Sequence, residues 1–248
     1  MLAEIVLVGA LSGFVQGLSG FAFGLVATSF WAWMMTPQQV VPLVVLGSLL
    51  GQCTSILSVR SSISVARVGP FLAGGLVGVP LGAAVLHAMN AQVFRASVGF
   101  GLIVFCTLML RADHLPKVKA GRPADGCIGF VSGAFAGACG MGGPPMTLWC
   151  SLRTWDMTTQ RATFQAFFIV IQIQVLALYA WQGAIDRPLL PMLMAVAPVI
   201  VAASWFGSQL ARRFGERKFQ RMVFLLLIAS GVMLLAPTLG RGAETLFR

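Results

Sequence analysis

Long apolar stretches separated by short polar segments dominate the chain. Residues 5–59 contain no Asp, Glu, Lys, Arg or His, and runs with at most one such residue cover 68–94, 96–110, 126–152, 162–185, 188–211 and 222–240. A helix that crosses a bilayer needs about 20 apolar residues. The pattern therefore predicts an all-α integral membrane protein with several spanning helices.

The beginnings of the two halves of this pattern resemble each other. At an offset of 120 positions, one set of small residues falls on another: Gly9, Ser12, Gly13, Gly17 and Gly20 on Gly129, Ser132, Gly133, Gly137 and Gly140. Internal repeats are typical of transporter folds. We therefore expect two pseudo-symmetric modules, residues 1–120 and 121–248, joined through the polar segment 111–125.

Each module opens with glycines four residues apart and then becomes too glycine-rich for a regular helix. The spacing puts the glycines on one helix face, where a second backbone can approach closely. Residues 17–24 and 137–145 follow, and in the second copy Pro144 and Pro145 lack the N–H that a helix interior needs. We predict a helix break near the middle of the membrane, which requires a protein or cavity environment. A continuous but kinked helix is the alternative.

Composition agrees with this class. The chain is 58% hydrophobic and 10% charged, whereas soluble domains carry roughly 25% charged residues. The net charge of +10 fits basic loops on the cytoplasmic side of a membrane. No water-exposed basic segment is interleaved with aromatic residues, so we expect a lipid bilayer as partner and no nucleic acid.

The positions of Lys and Arg also predict a topology. If the segment 126–152 enters and leaves on one side, thirteen of the seventeen cations share the cytoplasmic side. Only Arg95, Arg187, Arg241 and Arg248 then lie opposite. By the repeat, the first segment is re-entrant too, and each module adds three spanning helices. Three is an odd number, so the modules form an inverted repeat with both termini periplasmic.

Paired breaks in two halves are the sequence feature most indicative of a transport site. Backbone N–H groups at helix N-termini and in glycine-rich turns attract anions. All seven Asp and Glu lie outside the apolar runs, whereas a cation site usually holds an intramembrane carboxylate. We therefore predict a site for a small anion.

We expect the amide cradle at Ser19, Gly20, Cys139, Gly140, Gly142 and Gly143. Further polar candidates for the substrate are Thr28, Gln52, Gln165 and Gln172, for which helix–helix hydrogen bonding is the alternative role. Arg161 opens the sixth apolar run and either attracts the anion or anchors the helix at the interface.

Other chemistry is not indicated. The chain has no Gly-x-x-x-x-Gly-Lys-Ser/Thr phosphate loop and no His-Glu-x-x-His pair. His87 and His114 are the only histidines, and none of the five cysteines forms a Cys-x-x-Cys pair. We expect no enzyme, no cofactor and no metal site.

At residues 129–145 the chain resembles the TauE/SafE sulfite exporter family, whose modules open with a stretch such as Gly-x-x-Ser-Gly-x-x-Gly-x-Gly-Gly. The first copy, residues 9–24, differs in carrying Phe21-Ala22-Phe23 where members often have glycines. The resemblance implies export of sulfite, sulfoacetate or other organosulfonates by alternating access in a bacterial inner membrane. The alternatives are an anion channel and a non-transporting membrane assembly protein. A homo-oligomer is compatible with each of these functions.

Overall fold

The computed structural model is mainly helical in the residues that it describes, which are 2–56, 60–184, 189–214 and 216–246. The helices in the first half are α1 (Leu2–Ser19), α2 (Phe23–Met34), α3 (Pro37–Ile56), α4 (Val65–Ala88) and α5 (Ala91–Arg111). Those in the second half are α6 (Arg122–Cys139), α7 (Gly143–Leu152), α8 (Met157–Trp181), α9 (Leu189–Phe214) and α10 (Glu216–Leu246). Short 3₁₀ turns occupy Arg60–Ser62 and Ala112–His114. No strand occurs in the described ranges, so the predicted all-α class is confirmed there.

Several helices are suited to a bilayer. By length and composition, five in the described ranges could cross one: α1, α4, α5, α8 and the part Pro191–Leu210 of α9. Large apolar side chains on the outside, such as Leu7 and Met194, are 71% and 76% exposed, as lipid-facing residues are. The chain is a multi-pass membrane protein. α1 and α6, the helices before the two breaks, have 18 residues each.

Both predicted breaks are present. α1 ends at Ser19 and α2 begins at Phe23, while α6 ends at Cys139 and α7 begins at Gly143. Gly20 and Gly140 have φ of +84° and +69°, in the left-handed region that favours glycine and commonly ends helices. The helices stop and start again at these points, so the alternative of a continuous kinked helix is wrong.

The α6–α7 unit folds back on itself. Arg153, just after α7, forms an ion pair with Asp125 in the first turn of α6, with 3.1 Å between Nη2 and Oδ2. The Val118 N–H, just before α6, donates to the Leu152 carbonyl at 2.7 Å. The hairpin therefore begins and ends at the same end of the molecule.

Helices of the two halves pack mainly against each other. α6 runs along α4 and α1 runs along α9, while α5 pairs with α10 and α3 with α8. These pairings follow the repeat. When α1–α5 are exchanged in order for α6–α10, the contact of α4 with α6 becomes that of α9 with α1, and the other two contacts stay the same. In the described ranges each half packs mainly against the other, and the hydrophobic core lies between them.

The helix faces that carry glycines lie where these helices cross. A Cβ at Gly78 of α4 would collide with the Phe130 carbonyl of α6, and one at Gly133 of α6 would collide with the Gly75 carbonyl of α4. Gly13 of α1 meets Ile200 of α9 in the same way, 2.9 Å from its carbonyl oxygen. The predicted close approach of backbones at these glycines is confirmed.

Three of the cations predicted to share one side, Lys117, Arg161 and Arg221, line one cavity of the structure. Arg187 and Arg248 lie outside the described residues, as do the side chains of Arg212, Arg213, Arg217, Lys218 and Arg241.

Candidate functional site

The two helix breaks lie against each other. A Cβ on Gly24, in the first turn of α2, would lie 2.6 Å from the Gly140 carbonyl oxygen at the end of α6. In return, a Cβ on Gly143, the first residue of α7, would lie 3.3 Å from the Phe21 carbonyl oxygen. Backbone therefore meets backbone at this place, with little room for side chains between the two halves.

A small, largely enclosed cavity of about 20 Å³ lies beside the contact, between the breaks and helices α3 and α8. Its volume suffices for about one water molecule. Five predicted residues line it, namely Gln52, Gly140, Gly142, Gly143 and Gln172. We call it the inner cavity.

Helix N-termini supply backbone donors at the inner cavity. Gly24 and Leu25 of α2 line it, as do Gly142 and Gly143 at the start of α7. N–H groups at such positions have no acceptor within their own helix. Pro144 and Pro145 follow in α7 and have no N–H, so α2 offers the fuller set of donors.

Gly20 and Gly140 differ from the prediction, because their N–H groups are not offered to a solute. Gly20 donates to the Gln16 carbonyl at 2.6 Å, and Gly140 donates to the Ala136 carbonyl at 3.0 Å. Each bond closes the preceding helix. These glycines thus contribute a left-handed turn rather than an anion donor.

The amide of Gln52 stands out in the inner cavity. Its side chain is 1% exposed, and neither its nitrogen nor its oxygen has a hydrogen-bond partner among the described residues. An unpaired buried polar group costs about 1–3 kcal/mol. Such an arrangement is expected where a ligand completes the hydrogen bonding.

A second glutamine faces the same cavity from α8. Gln172 Nε2 donates to Ser48 Oγ at 2.8 Å, and Gln16 Nε2 donates to the Ser48 carbonyl at 2.8 Å. Ser48 lies one turn before Gln52 on α3, so α1, α3 and α8 are joined beside the cavity. Gln52 and Gln172 are 120 positions apart, the offset of the glycine repeat. Sequence reasoning proposed both residues without pairing them, although this offset was a signal that could have done so.

A larger cavity of about 290 Å³ opens next to the inner one. Lys117, Arg161 and Arg221 line it, and no carboxylate is among the residues lining it in the described part of the chain. We call it the outer cavity. Phe21 borders both cavities. It is 8% exposed, and its ring packs 6.3 Å from that of Phe224.

A capped helix start holds Arg161 near the outer cavity. The Asp156 carboxylate accepts the Thr159 N–H at 3.0 Å and also the Thr159 hydroxyl. These bonds hold the pKa of Asp156 below its usual value, so the cap is ionised at neutral pH. α8 therefore begins at a fixed point one turn before Arg161.

Other predicted residues support the breaks rather than line the inner cavity. Ser19 Oγ accepts the Ala22 N–H at 3.1 Å and faces the outer cavity. Thr28 Oγ1 donates to the Cys139 carbonyl at 3.3 Å, which ties α2 to the end of α6. Gln165 is buried in α8 and lines neither cavity.

Sequence reasoning missed Phe21, Ser48, Lys117 and Arg221 as site residues. Phe21 was visible only as a departure from a glycine-rich pattern. Lys117 and Arg221 are far apart in the chain, and the sequence marks them only as basic loop residues.

Comparisons with curated proteins and with solved structures gave no match. The family profile described as "Sulfite exporter TauE/SafE" matches residues 5–234, which is nearly the whole chain. The match covers far more than half of the chain, and the chain belongs to the sulfite exporter TauE/SafE family.

Proposed function

We propose that the chain exports a small oxyanion of the sulfite or organosulfonate class by alternating access around the two breaks. The observation that carries the proposal is the buried amide of Gln52, which has no hydrogen-bond partner among the described residues. It faces a cavity formed by the N-termini of α2 and α7. A solute between them would receive hydrogen bonds from the amide and from helix N–H groups.

The charges favour an anion over a cation. The N-terminus of a helix carries about half a positive charge, and two such ends border the inner cavity. No carboxylate lines it in the described residues. A cation there would face two positively charged helix ends, with only the neutral amide oxygens of Gln52 and Gln172 as unpaired ligands. Amide donors suit sulfite and sulfonate oxygens, which accept hydrogen bonds and carry negative charge.

The sizes of the cavities support a carrier in which one side is open. The inner cavity holds about one water, which is smaller than sulfite, so the substrate site is closed in this conformation. At the repeat offset of 120, Phe21 and Ser151 of the outer cavity correspond to Met141 and Trp31. Those two side chains are 1% and 0% exposed. In the opposite conformation of an alternating-access carrier, a cavity would open beside Met141 and Trp31, and the outer cavity beside Phe21 would close.

We assign the outer cavity to the cytoplasmic side of a bacterial inner membrane. The cations lining it belong to the larger group counted by the positive-inside rule. In this topology residues 1–120 and 121–248 form inverted modules, and both termini are periplasmic. Negative potential inside the cell would favour export by about 2.3 kcal/mol per charge per 100 mV, so anion export needs no nucleotide.

Flux into and out of proteoliposomes tests the proposal. Purified protein is reconstituted and assayed with sulfite, sulfoacetate and lactate, with protein-free liposomes as the control. Saturable flux with counterflow of sulfite or sulfoacetate is expected. Flux that does not saturate would indicate a channel, and absence of flux for all three would leave an assembly role. A reporter fused after residue 248 tests the topology, since cytoplasmic activity would contradict it.

A further inference from the structure

The glutamine amides of the inner cavity present oxygens as well as nitrogens. Gln52 is 1% exposed, and both polar atoms of its side chain lack a hydrogen-bond partner among the described residues. Gln172 donates from Nε2 to Ser48 Oγ at 2.8 Å, and its Oε1 has no partner there either. Both glutamines line the cavity. Because a carbonyl oxygen can only accept, these two oxygens require a hydrogen-bond donor.

Turning the Gln52 amide over does not remove this requirement. An amide carries one donor nitrogen and one acceptor oxygen, and both are present in either orientation. An oxyanion without a hydrogen, such as sulfate or the sulfite dianion, can accept from the nitrogen. It would leave the buried oxygen facing negative charge and without a partner, which is unfavourable. A ligand that carries both an acceptor and a donor satisfies the whole amide.

The charge at the inner cavity also suits one negative charge better than two. α2 and α7 each bring an N-terminus with about half a positive charge, which sums to about one charge. α1 and α6 end at the same two breaks, and helix C-termini carry the opposite partial charge. None of the residues found to line the cavity is charged. A dianion would therefore retain uncompensated negative charge in a buried place, which is costly.

We propose that the inner site selects monoanions that carry a hydrogen-bond donor of their own, and that it therefore takes sulfite as bisulfite. The S–OH group of bisulfite would donate to the amide oxygen of Gln52 or Gln172. Its other oxygens would accept from the Gln52 nitrogen and from helix N–H groups. The inference rests on the proposed function, since it names the ligand of the same site. Among organosulfonates it favours hydroxyl-bearing monoanions over sulfoacetate, a dianion without a donor.

A proton would accompany the anion in this scheme. No titratable side chain is found among the residues lining the cavity, and the thiols of Cys53 and Cys139, next to lining residues in the chain, lie outside it. The proton would thus move on the anion itself. Sulfite takes up a proton on the loading side, and bisulfite releases it on the other side where the solution is alkaline. Each transport event would carry one proton and one net negative charge.

A matched pair of sulfonates tests the selectivity at constant pH. Isethionate carries a hydroxyl group, and propanesulfonate has a methyl group in its place, so the two are monoanions of similar size. Each is titrated into the purified wild-type protein in detergent by calorimetry. Isethionate is expected to bind at least about tenfold more tightly. General apolar binding would give the opposite order, and equal affinities or tighter binding of propanesulfonate would overturn the proposal.

Substitutions of the two glutamines test which groups make the distinction. Gln52→Leu and Gln172→Leu should each reduce the ratio of the two affinities severalfold, whereas a purely structural defect would weaken both ligands and leave the ratio unchanged. Gln182→Leu, at an exposed position, is the matched control and should keep the wild-type ratio. A wild-type ratio in both glutamine variants would mean that the amide oxygens do not read the donor. The comparison of the two ligands on wild-type protein decides the selectivity even where a variant fails to fold.

Proton movement is measured in proteoliposomes that contain a pH-sensitive dye in an alkaline buffer. Sulfite is added outside, its uptake is followed, and potassium with valinomycin clamps the membrane potential. Protein-free liposomes give the background from diffusion of sulfur dioxide. Uptake as bisulfite should acidify the interior by one proton for each sulfite taken up. Saturable uptake without acidification would show that the dianion is carried and would refute the inference.

The two proposals fail in different ways. A preference for isethionate in a protein that moves no anion would end the transport proposal and leave the selectivity of the inner site. Saturable sulfite flux with equal affinities for the two sulfonates, and without acidification, would end the present inference and leave the transport proposal.

Discussion

Replacing Gln52 by leucine should make the protein more stable and less active. The native side chain is 1% exposed and neither polar atom of its amide has a partner in the described residues. Leucine has a similar size and no polar atom. The substitution removes the cost of burying the amide, and it also removes the donor proposed to hold the anion.

The expected magnitude follows from that unpaired amide. Its burial costs about 1–3 kcal/mol, and for a protein of this size 1 kcal/mol shifts the melting temperature by roughly 2–4 °C. Gln52→Leu should therefore melt roughly 2–12 °C higher. Gln172→Leu should change little, because it removes one unpartnered oxygen and also the bond to Ser48.

Thermal unfolding in detergent and sulfite flux in proteoliposomes check the two effects. Both glutamine variants should lose flux at least about tenfold, equivalent to 1.4 kcal/mol. Gln182→Leu, at an exposed position after α8, should match the wild type in both assays. An unchanged or lower melting temperature for Gln52→Leu, or retained flux, would refute the reasoning.

Three further substitutions test how the site is built. Gly24→Ala places a methyl group 2.6 Å from a backbone carbonyl of the other break, so it should cost about 1–3 kcal/mol and abolish flux. Gly69→Ala, with no atom within 4 Å of the new group, should be neutral or up to about 1 kcal/mol more stable; similar results for both would contradict the close contact. Asp125→Ala removes the carboxylate partner of Arg153 at a site where the two side chains are 8% and 11% exposed. The free energy of unfolding should then fall by up to about 3–5 kcal/mol. A decrease of less than about 1 kcal/mol would show that this ion pair does not hold the hairpin together. Phe21→Ala removes the ring between the two cavities, so non-saturable sulfite leak should rise severalfold; an unchanged leak would mean that Phe21 is not the barrier.

Local features of the fold could be predicted because they depend on residue types close together in the sequence. Apolar runs predict helices, and glycine with proline predicts where a helix must stop. The spacing of Gly129, Gly133 and Gly137 predicts a close helix contact. It does not name the partner, and the structure shows that this partner is α4, on which Gly74 and Gly78 lie.

The site was harder to predict, because it depends on which polar groups are already satisfied. Glycine content suggested free N–H groups at Gly20 and Gly140, but a left-handed glycine that ends a helix donates its own N–H to that helix. Convergence of Lys117 and Arg221 likewise depends on how α10 packs relative to α5. Sequence distance carries no information about that packing.

The two breaks have similar paths and unequal chemistry. In the first, Phe21 lines both cavities, and Gly24 and Leu25 place N–H groups near the inner cavity. In the second, Pro144 and Pro145 remove two donors at the start of α7, while Gly140 and Gly142 allow the chain to pass close to its neighbours. An anion in the inner cavity would thus draw most of its backbone hydrogen bonds from the first half. The second half would mainly shape the space, and a symmetric scaffold would bind its substrate asymmetrically.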